Sequence, residues 1–260
     1  MSLNWINTTQ LSFNNLLLLE CVQLSWFPGW LPEPELALAL KANPVVDWYL
    51  RHKCPEIIPW LDKVCSKAVD FTDDKAIYRA EQAILQAIED LLIYAIDPTI
   101  YDTQPFLGWD DRELTNLVDF TGKIVLDIGS GTGKLAFIAA RKAEVVYPVE
   151  PVGNLRVFLR EKAQRLGYKH VYPVDGLITQ IPFADGFADV TLCGHVFGDN
   201  PQAELSEMER VTNAGGMVIL CPGTSESEGS AHDVLVAQAY QWAYFDEPGD
   251  GPKRKYWKVR

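Results

Sequence analysis

From residue 122 onward the chain alternates two hydrophobic rhythms. Short apolar runs rich in β-branched residues, at 124–128, 145–149, 171–174, 190–193 and 217–221, read as strands. A last run at 256–259 is the only strand-like stretch after Cys221. Between the runs lie helical patterns near 133–142, 152–166, 203–212 and 233–245. Near-continuous apolar strands separated by helices predict an α/β fold, a doubly wound and mainly parallel sheet covered on both faces.

The first hundred residues have another texture, rich in Leu, Trp and Pro and without β-type runs or glycine-rich loops. They predict an N-terminal helical extension over 1–109, ahead of an α/β domain over 110–260. Residues 11–24 read as one apolar helix that ends before Pro28-Gly29. Asn43-Pro44 reads as a cap followed by a first-turn proline, opening a helix to about His52. A similar helix spans 55–69, with Pro59 in its first turn. The clearest helix is 73–96. Ile77, Ala80, Ile84, Ile88, Leu91 and Ala95 repeat at its period, Thr72 or Asp73 caps it, and Asp97-Pro98 stops it. Trp26, Trp30, Trp48 and Trp60 are expected in a core or an interface. A helical part beside a binding crevice suits a lid or a source of acceptor contacts. A short helix over 110–120 leads into the first strand, and Tyr101 and Trp109 are candidates to line a pocket.

Between the first strand and its helix stands Asp127-Ile128-Gly129-Ser130-Gly131-Thr132-Gly133. Glycines at this density permit positive φ and close approach of a ligand to the backbone. The helix that follows aims its first N–H groups at whatever the loop holds. In open α/β sheets ligands lie beyond the carboxyl ends of the strands. Those ends are Asp127, Glu150, Asp175 and Cys193-Gly194-His195, and three of the four are acids.

A dinucleotide is one occupant to weigh. Gly131-Thr132-Gly133-Lys134-Leu135-Ala136 fits the G-x-G-x-x-A pattern, and Glu150 stands where a ribose-binding acid belongs. Counted from Gly129, however, the third small position is Lys134. A carboxylate at Asp127 also repels a pyrophosphate and attracts a ligand that carries an ammonium group.

Composition narrows the classes. A net charge of −12 over 260 residues argues against a general nucleic-acid binder. The basic tail, Lys253 to Arg260, reads as a solvated last strand. Five scattered cysteines without a C-x-x-C pair argue against a disulfide framework and a zinc knuckle, so no metal is expected. His52, Cys54 and Cys65 suggest no fourth ligand. No secretory leader pattern opens the chain, and the apolar run Leu16–Leu19 is far too short for a membrane span. The expectation is a cytoplasmic protein.

The glycine-rich stretch is similar to the D-x-G-x-G-x-G signature of class I S-adenosylmethionine-dependent methyltransferases, which have a Rossmann-like fold. The resemblance covers about residues 110–222. It continues through Val149-Glu150-Pro151, Asp175-Gly176, the run from Ile181-Pro182-Phe183 to Asp189-Val190, Glu209-Arg210-Val211, and Gly215-Gly216. The Ile-Pro-Phe run and the late Arg-Val with its Gly-Gly turn look like the subgroup that includes quinone-biosynthesis methyltransferases.

The resemblance implies a role for each matching residue. Gly129, Ser130, Gly131 and Gly133 hold the methionine moiety, with Asp127 near its ammonium group. Glu150 accepts from both ribose hydroxyls, and Pro151 and Val152 pack on the adenine. Asp175 receives the adenine amino group, with Gly176 and Leu177 close to the ring. Cys193 and Gly194 pass the sulfonium end by backbone contact. S-adenosylhomocysteine is the implied product. His195, with Asp199 nearby, is the one candidate general base at the right strand end. An N/D-P-P-Y/F run and a Pro-Cys nucleophile are both missing after the fourth strand, which leaves a small-molecule acceptor as the default. The competing readings are a non-catalytic cofactor-binding or regulatory module and an NAD(P)-dependent oxidoreductase.

Overall fold

A computed structural model describes residues 6–67, 73–225 and 229–260. Its contacts divide the chain into two compact units, Met1–Tyr101 and Asp102–Arg260. Residues 102–109, read from sequence as the end of the helical part, belong with the second unit. Trp109 is the reason. Its indole is buried edge-on against Phe245, and the Lys134 ammonium sits 4.7 Å above its ring.

The second unit is the α/β domain. Its strands are β1 (Ile124–Ile128), β2 (Val145–Val149), β3 (Ala188–Cys193), β4 (Thr212–Ser225), β5 (Gln241–Glu247) and β6 (Gly251–Val259). They form one sheet in the order β2-β1-β3-β4-β6-β5. β2, β1, β3 and β4 run parallel, and β6 is antiparallel to both β4 and β5. The centre of the sheet is apolar on both faces. Val125, Val190, Leu192 and Ile219 pack to one side and Leu126, Ile128, Val218 and Leu220 to the other. Helices therefore have to cover both sides, as a doubly wound sheet requires.

Three expectations change. Residues 171–174 form no continuous strand but only isolated parallel bridges, Val146 with Val171 and Val149 with Val174. Tyr172 N and Val174 N donate to Val146 O and Pro148 O, but Pro148 has no N–H to return, which interrupts the ladder at this edge. The helix expected over 233–245 is Gly229–Ala237, and 241–247 is strand β5 instead. Among the described residues two strands, β5 and β6, therefore follow Cys221, not one. With the bridged edge at 171–174 the sheet has seven strand positions.

The basic tail is likewise not a solvated edge. β6 lies between β4 and β5, and its cations are spent inside the fold. Lys253 meets Asp250, Lys255 meets Glu113, and Lys258 meets Glu209, at 2.9, 2.6 and 2.9 Å. The helix expected over 110–120 reduces to Arg112–Thr115.

The first unit is helical and has its own core, from Phe13 and Leu16 through Leu36, Leu50 and Leu61 to Ile84 and Leu92. The single helix expected over 11–24 is two short pieces, Phe13–Leu18 and Cys21–Leu24, broken at Leu19-Glu20. The side chains of Ser12 and Asn15 box the first piece, and Glu20 and Gln23 box the second. Glu33–Ala42 is a helix the pattern did not announce. Pro44–Lys53 begins where expected, but the Asn43 amide donates to Ala39 O and Glu81 rather than capping it. The 55–69 helix is a turn at Pro55–Ile57 and a helix Ile58–Cys65, and Val69 lies outside the described residues. The 73–96 helix divides at Ile88 into Asp74–Ala87 and Glu89–Ile96, with the Asp73 side chain accepting from Lys75 N; Thr72 lies outside the described residues. Trp26, Trp30 and Trp48 are exposed, so they are not core residues. Among the described residues no helix is long and apolar enough to cross a membrane.

Candidate functional site

The site is built where β1, β2 and β3 end. β1 delivers Asp127 into the interior, 1% exposed. Its Oδ2 accepts from Ala136 N at 3.0 Å, one of the first-turn amides of the helix Lys134–Ala139. A strand carboxylate thus caps the following helix from beneath, which fixes the path of the loop between them. Oδ1, equally buried, has no partner among the described residues.

Within the loop, Gly129 N and Ser130 N reach Val149 O, Ser130 Oγ donates to Asp127 O, and Gly133 N donates to Ser130 O. Gly129 and Gly133 sit at φ +66° and +90°. A Cβ at Gly133 would lie 2.6 Å from Leu159 and 2.7 Å from Phe137. Lys134, the residue that spoiled the dinucleotide pattern, turns away from the loop. Its ammonium bonds Asp111 at 2.7 Å and Trp109 O at 3.2 Å. Lys162 holds the far side, joining Asp102 at 2.6 Å to Thr132 O at 3.0 Å.

Glu150, at the end of β2, is 4% exposed. Gly131 N donates to its Oε2 and Val152 N to its Oε1, both at 2.9 Å. Each oxygen keeps a lone pair, so two further donors can be taken side by side. Burial pushes both acids up to about 7. The neighbouring Glu150 charge adds to the rise at Asp127, and the Asp175 charge to that at Glu150.

Asp175 itself is largely in solvent, its side chain 71% exposed, with Oδ1 3.2 Å from Arg156. The same guanidinium nitrogen donates to Glu150 O at 2.7 Å, so Arg156 links the two strand ends. Pro151 is half-buried and Val152 buried beside Glu150. Gly176 backs directly on Pro182 and Val149, whose atoms lie 2.6 and 2.8 Å from where a Cβ would stand. Leu177 is exposed and pairs with Gln180 across a small turn.

Beyond β3, Cys193 is buried, its thiol pushed well up by burial, so it is an inert core residue and no nucleophile. Gly194 lies close under Cys221 O and Leu135. His195 takes a left-handed backbone at φ +62°, a conformation that costs of order 1–3 kcal/mol and is held by surrounding bonds. Its N–H donates to Pro222 O at 3.2 Å, and its Nε2 lies 2.7 Å from Glu247 Oε1. Phe106 meets the imidazole edge-on. The Glu247 side chain is completely buried, with Lys253 3.8 Å from its other oxygen. A carboxylate can only accept, so it keeps the imidazole proton on Nε2 and leaves the Nδ1 lone pair to take another. The loop continues against the glycines, since Val196 carbons lie 2.6 and 2.7 Å from where a Gly129 Cβ would stand. The buried Glu204 pins it by accepting from Gly198 N and Asn200 N.

The structure therefore brings Asp127, the glycine loop and Glu150 together and sets the β3 loop with His195 against Gly129. Asp175 remains at the rim. Tyr101 lies in the helix Pro98–Asp102 beside Tyr94, and Trp109 is core rather than pocket lining. Sequence reasoning missed Glu247, Arg156 and the Lys162–Asp102 tie. The carboxylate on His195 is Glu247, 52 residues on, and not the neighbouring Asp199.

Comparison with known proteins agrees with this architecture. Residues 126–220 match the family model described as a methyltransferase domain. A protein of Geobacillus thermodenitrificans described as an uncharacterized methyltransferase is 27% identical over 165 residues, 60% of this chain and 73% of its own length. An uncharacterized methyltransferase of a Mycobacterium species, strain JLS, is 32% identical over 143 residues, covering 52% of this chain and 54% of its own. Among solved structures, a SAM-dependent methyltransferase from Aquifex aeolicus superposes with a TM-score of 0.50 at 17% identity, over 62% of this chain and 97% of its own. That likeness speaks to the fold. What these matches have in common is a likeness to methyltransferase domains over residues 126–220.

Proposed function

We propose that this chain, whose α/β part is an S-adenosylmethionine-dependent methyltransferase domain, is a cytoplasmic enzyme that methylates a small-molecule nucleophile with His195 as general base. The observation that carries the cofactor reading is the pair of buried acids at adjacent strand ends. Asp127 has one oxygen without a partner, and Glu150 keeps a free lone pair on each of its two oxygens. An ammonium donor and two vicinal hydroxyls are what such a pair would satisfy. A dinucleotide pyrophosphate, laid beside Asp127, would meet repulsion instead.

In this reading Gly129, Ser130, Gly131 and Gly133 let the methionine portion approach the backbone, with Asp127 at its ammonium group. Glu150 holds the ribose, Val152 and Pro151 pack on the adenine, and Asp175, Gly176 and Leu177 border its outer edge. Cys193 and Gly194 pass the sulfonium end. When bound, the cofactor would supply a sulfonium methyl open to attack by an acceptor lone pair, with the carbon–sulfur bond pair going to the departing thioether. The protein has to align the acceptor and exclude water. His195 takes the acceptor proton at Nδ1 while Glu247 steadies the resulting imidazolium through Nε2.

The subgroup resembling quinone-biosynthesis methyltransferases is supported by the run from Ile181 to Val190 with Arg210. Arg210 gathers Ile181 O, Phe183 O, Asp185 and Glu207, so this run is first a fold clamp and does not itself select an acceptor.

Isothermal titration of the full chain with SAM, SAH and NAD tests the cofactor reading. Binding of the first two and silence with the third is expected, and NAD binding with no response to SAH would sink it. Incubation with SAM and a panel of small acceptors should then release SAH. Tight SAM binding with no SAH across the panel would favour a regulatory module.

A further inference from the structure

We infer that the helical unit carries a divalent metal site made by Cys21, Cys54 and Glu56, fit for a thiophilic cation such as Zn²⁺. The site goes beyond the methyl-transfer reading and does not depend on it.

The three residues are brought together by folding alone. Cys21 opens the short helix Cys21–Leu24, Cys54 closes the helix Pro44–Lys53, and Glu56 lies in the turn Pro55–Ile57. One ligand atom from each lies within 4.8 Å of the other two. Both sulfurs converge on the same carboxylate oxygen. Glu56 Oε2 is 3.6 Å from Cys21 Sγ and 3.3 Å from Cys54 Sγ. A tetrahedral zinc site with metal–sulfur bonds of about 2.3 Å and a metal–oxygen bond of about 2.1 Å has S···O edges of about 3.6 Å and an S···S edge of about 3.8 Å. The two S···O spacings are close to the first of those edges and the sulfurs lie within 4.8 Å of each other, so a cation can be taken up by modest side-chain movement. The donor set is right as well, because two thiolates select soft or borderline cations over Mg²⁺ and Ca²⁺.

Burial grades across the cluster. Cys54 is fully buried, Cys21 half-buried and Glu56 exposed, which leaves a fourth position open on the solvent side. Three protein ligands and an open position form an accessible site rather than a closed structural knot. Binding exchanges two thiol protons for one cation: each Cys–SH releases its proton to solvent, and each sulfur gives a lone pair to the metal. The metal would clamp the segment carrying Cys21 to the end of the Pro44–Lys53 helix. The Tyr49 hydroxyl already ties the same neighbourhood together through Leu19 O at 2.7 Å. The spacing of 33 residues between the two cysteines hid the cluster from any sequence motif.

Titration of the untagged full chain with Co²⁺, followed by displacement with Zn²⁺, tests the site. One equivalent should produce thiolate-to-cobalt charge-transfer absorption together with visible bands of tetrahedral intensity. Zn²⁺ should abolish both and raise the thermal midpoint. Cys21→Ser and Cys54→Ser should each lose the charge-transfer band. Glu56→Gln, an exposed change that leaves the fold intact, should weaken cobalt binding at least tenfold. No charge-transfer band in the wild-type chain, or a band unchanged in Cys21→Ser, overturns the proposal. So does capture of both sulfurs as a Cys21–Cys54 disulfide that forms under air in the presence of excess Zn²⁺.

Discussion

At the scale of single residues the cofactor reading rests on two acids. Glu150 spends one lone pair of each oxygen on a backbone N–H and offers the others to a ribose. Hydrogen bonds to a charged group contribute about 1.5–3 kcal/mol each. Glu150→Gln keeps the shape but removes the charge and turns one acceptor into a donor, so SAM affinity should fall about 10- to 100-fold by calorimetric titration. Protonation gives a second handle. Asp127 and Glu150 are held at about 7, against about 3.9 and 4.3 for free side chains. Between those values the folded chain retains protons that the unfolded chain has lost. The stability these groups contribute is therefore present below about pH 4 and is lost as pH rises through about 7. A ligand ammonium favours the ionised acid, so binding should expel protons below pH 7, and affinity should rise with pH and level off above 7. Titrations in buffers of different ionisation enthalpy measure this, and an affinity flat between about pH 5.5 and 7 would contradict it. His195 supplies a third test. His195→Ala should lower kcat about 10²- to 10⁴-fold with unchanged SAM affinity, the range for general acid–base catalysis. Glu247→Gln should lower it less, also with unchanged SAM affinity. Loss of cofactor binding in either variant would count against a base role. His195 was legible because it ends a strand on the ligand edge. Glu247 was not, because its strand was unrecognised and only the fold brings the two together.

The same contrast holds for whole elements. The four parallel strands β1, β2, β3 and β4 were readable because burial on both faces forces continuous apolar runs, and the loop after β1 because its glycines answer to backbone geometry. Gly133→Ala tests that geometry. A left-handed non-glycine residue costs about 1–2 kcal/mol, and the added carbon would press on Leu159 and Phe137 as well. The urea midpoint should fall with an unchanged slope, the mark of lost stability without a change in the surface exposed on unfolding. An unchanged midpoint would mean that the loop has another conformation available. β5 was not readable, for an equally local reason. The helix Gly229–Ala237 gives way to the strand at Ala239, which adopts φ +63° with no glycine or proline to announce the turn. Ala231 and Leu235 keep a helical spacing up to that break, and the period-2 signal of Phe245 and Glu247 is only two buried positions long. The basic last strand was misjudged because charge looked like exposure. Its lysines instead reach carboxylates on residues 113, 209 and 250, pairings that only the three-dimensional arrangement reveals.

At the scale of the molecule, the position of the boundary between the two units has consequences that can be measured. Every residue assigned here to the cofactor lies after Tyr101, and so do the ties that hold the loop. Lys162 reaches back to Asp102, Lys134 to Asp111 and Trp109 O, and Phe106 meets His195. A fragment 102–260 should therefore fold and bind SAM within about threefold of the full chain. A fragment 110–260, cut where texture alone placed the boundary, discards the Trp109 indole and the Phe106 ring, 3% and 8% exposed in the full chain. A buried Trp hides about 150–250 Å² of surface, which at about 25 cal/mol per Å² corresponds to about 4–6 kcal/mol. It also leaves Lys162 without Asp102 beneath the loop. That loss rivals the whole stability of many domains, so the shorter fragment should be largely unfolded by circular dichroism and silent in SAM titrations. Equal folding and affinity of the two fragments would show that residues 102–109 are a linker. If instead only the longer fragment binds, the segment belongs to the methyltransferase domain, and the acceptor-selecting features remain to be sought in the helical unit and around His195.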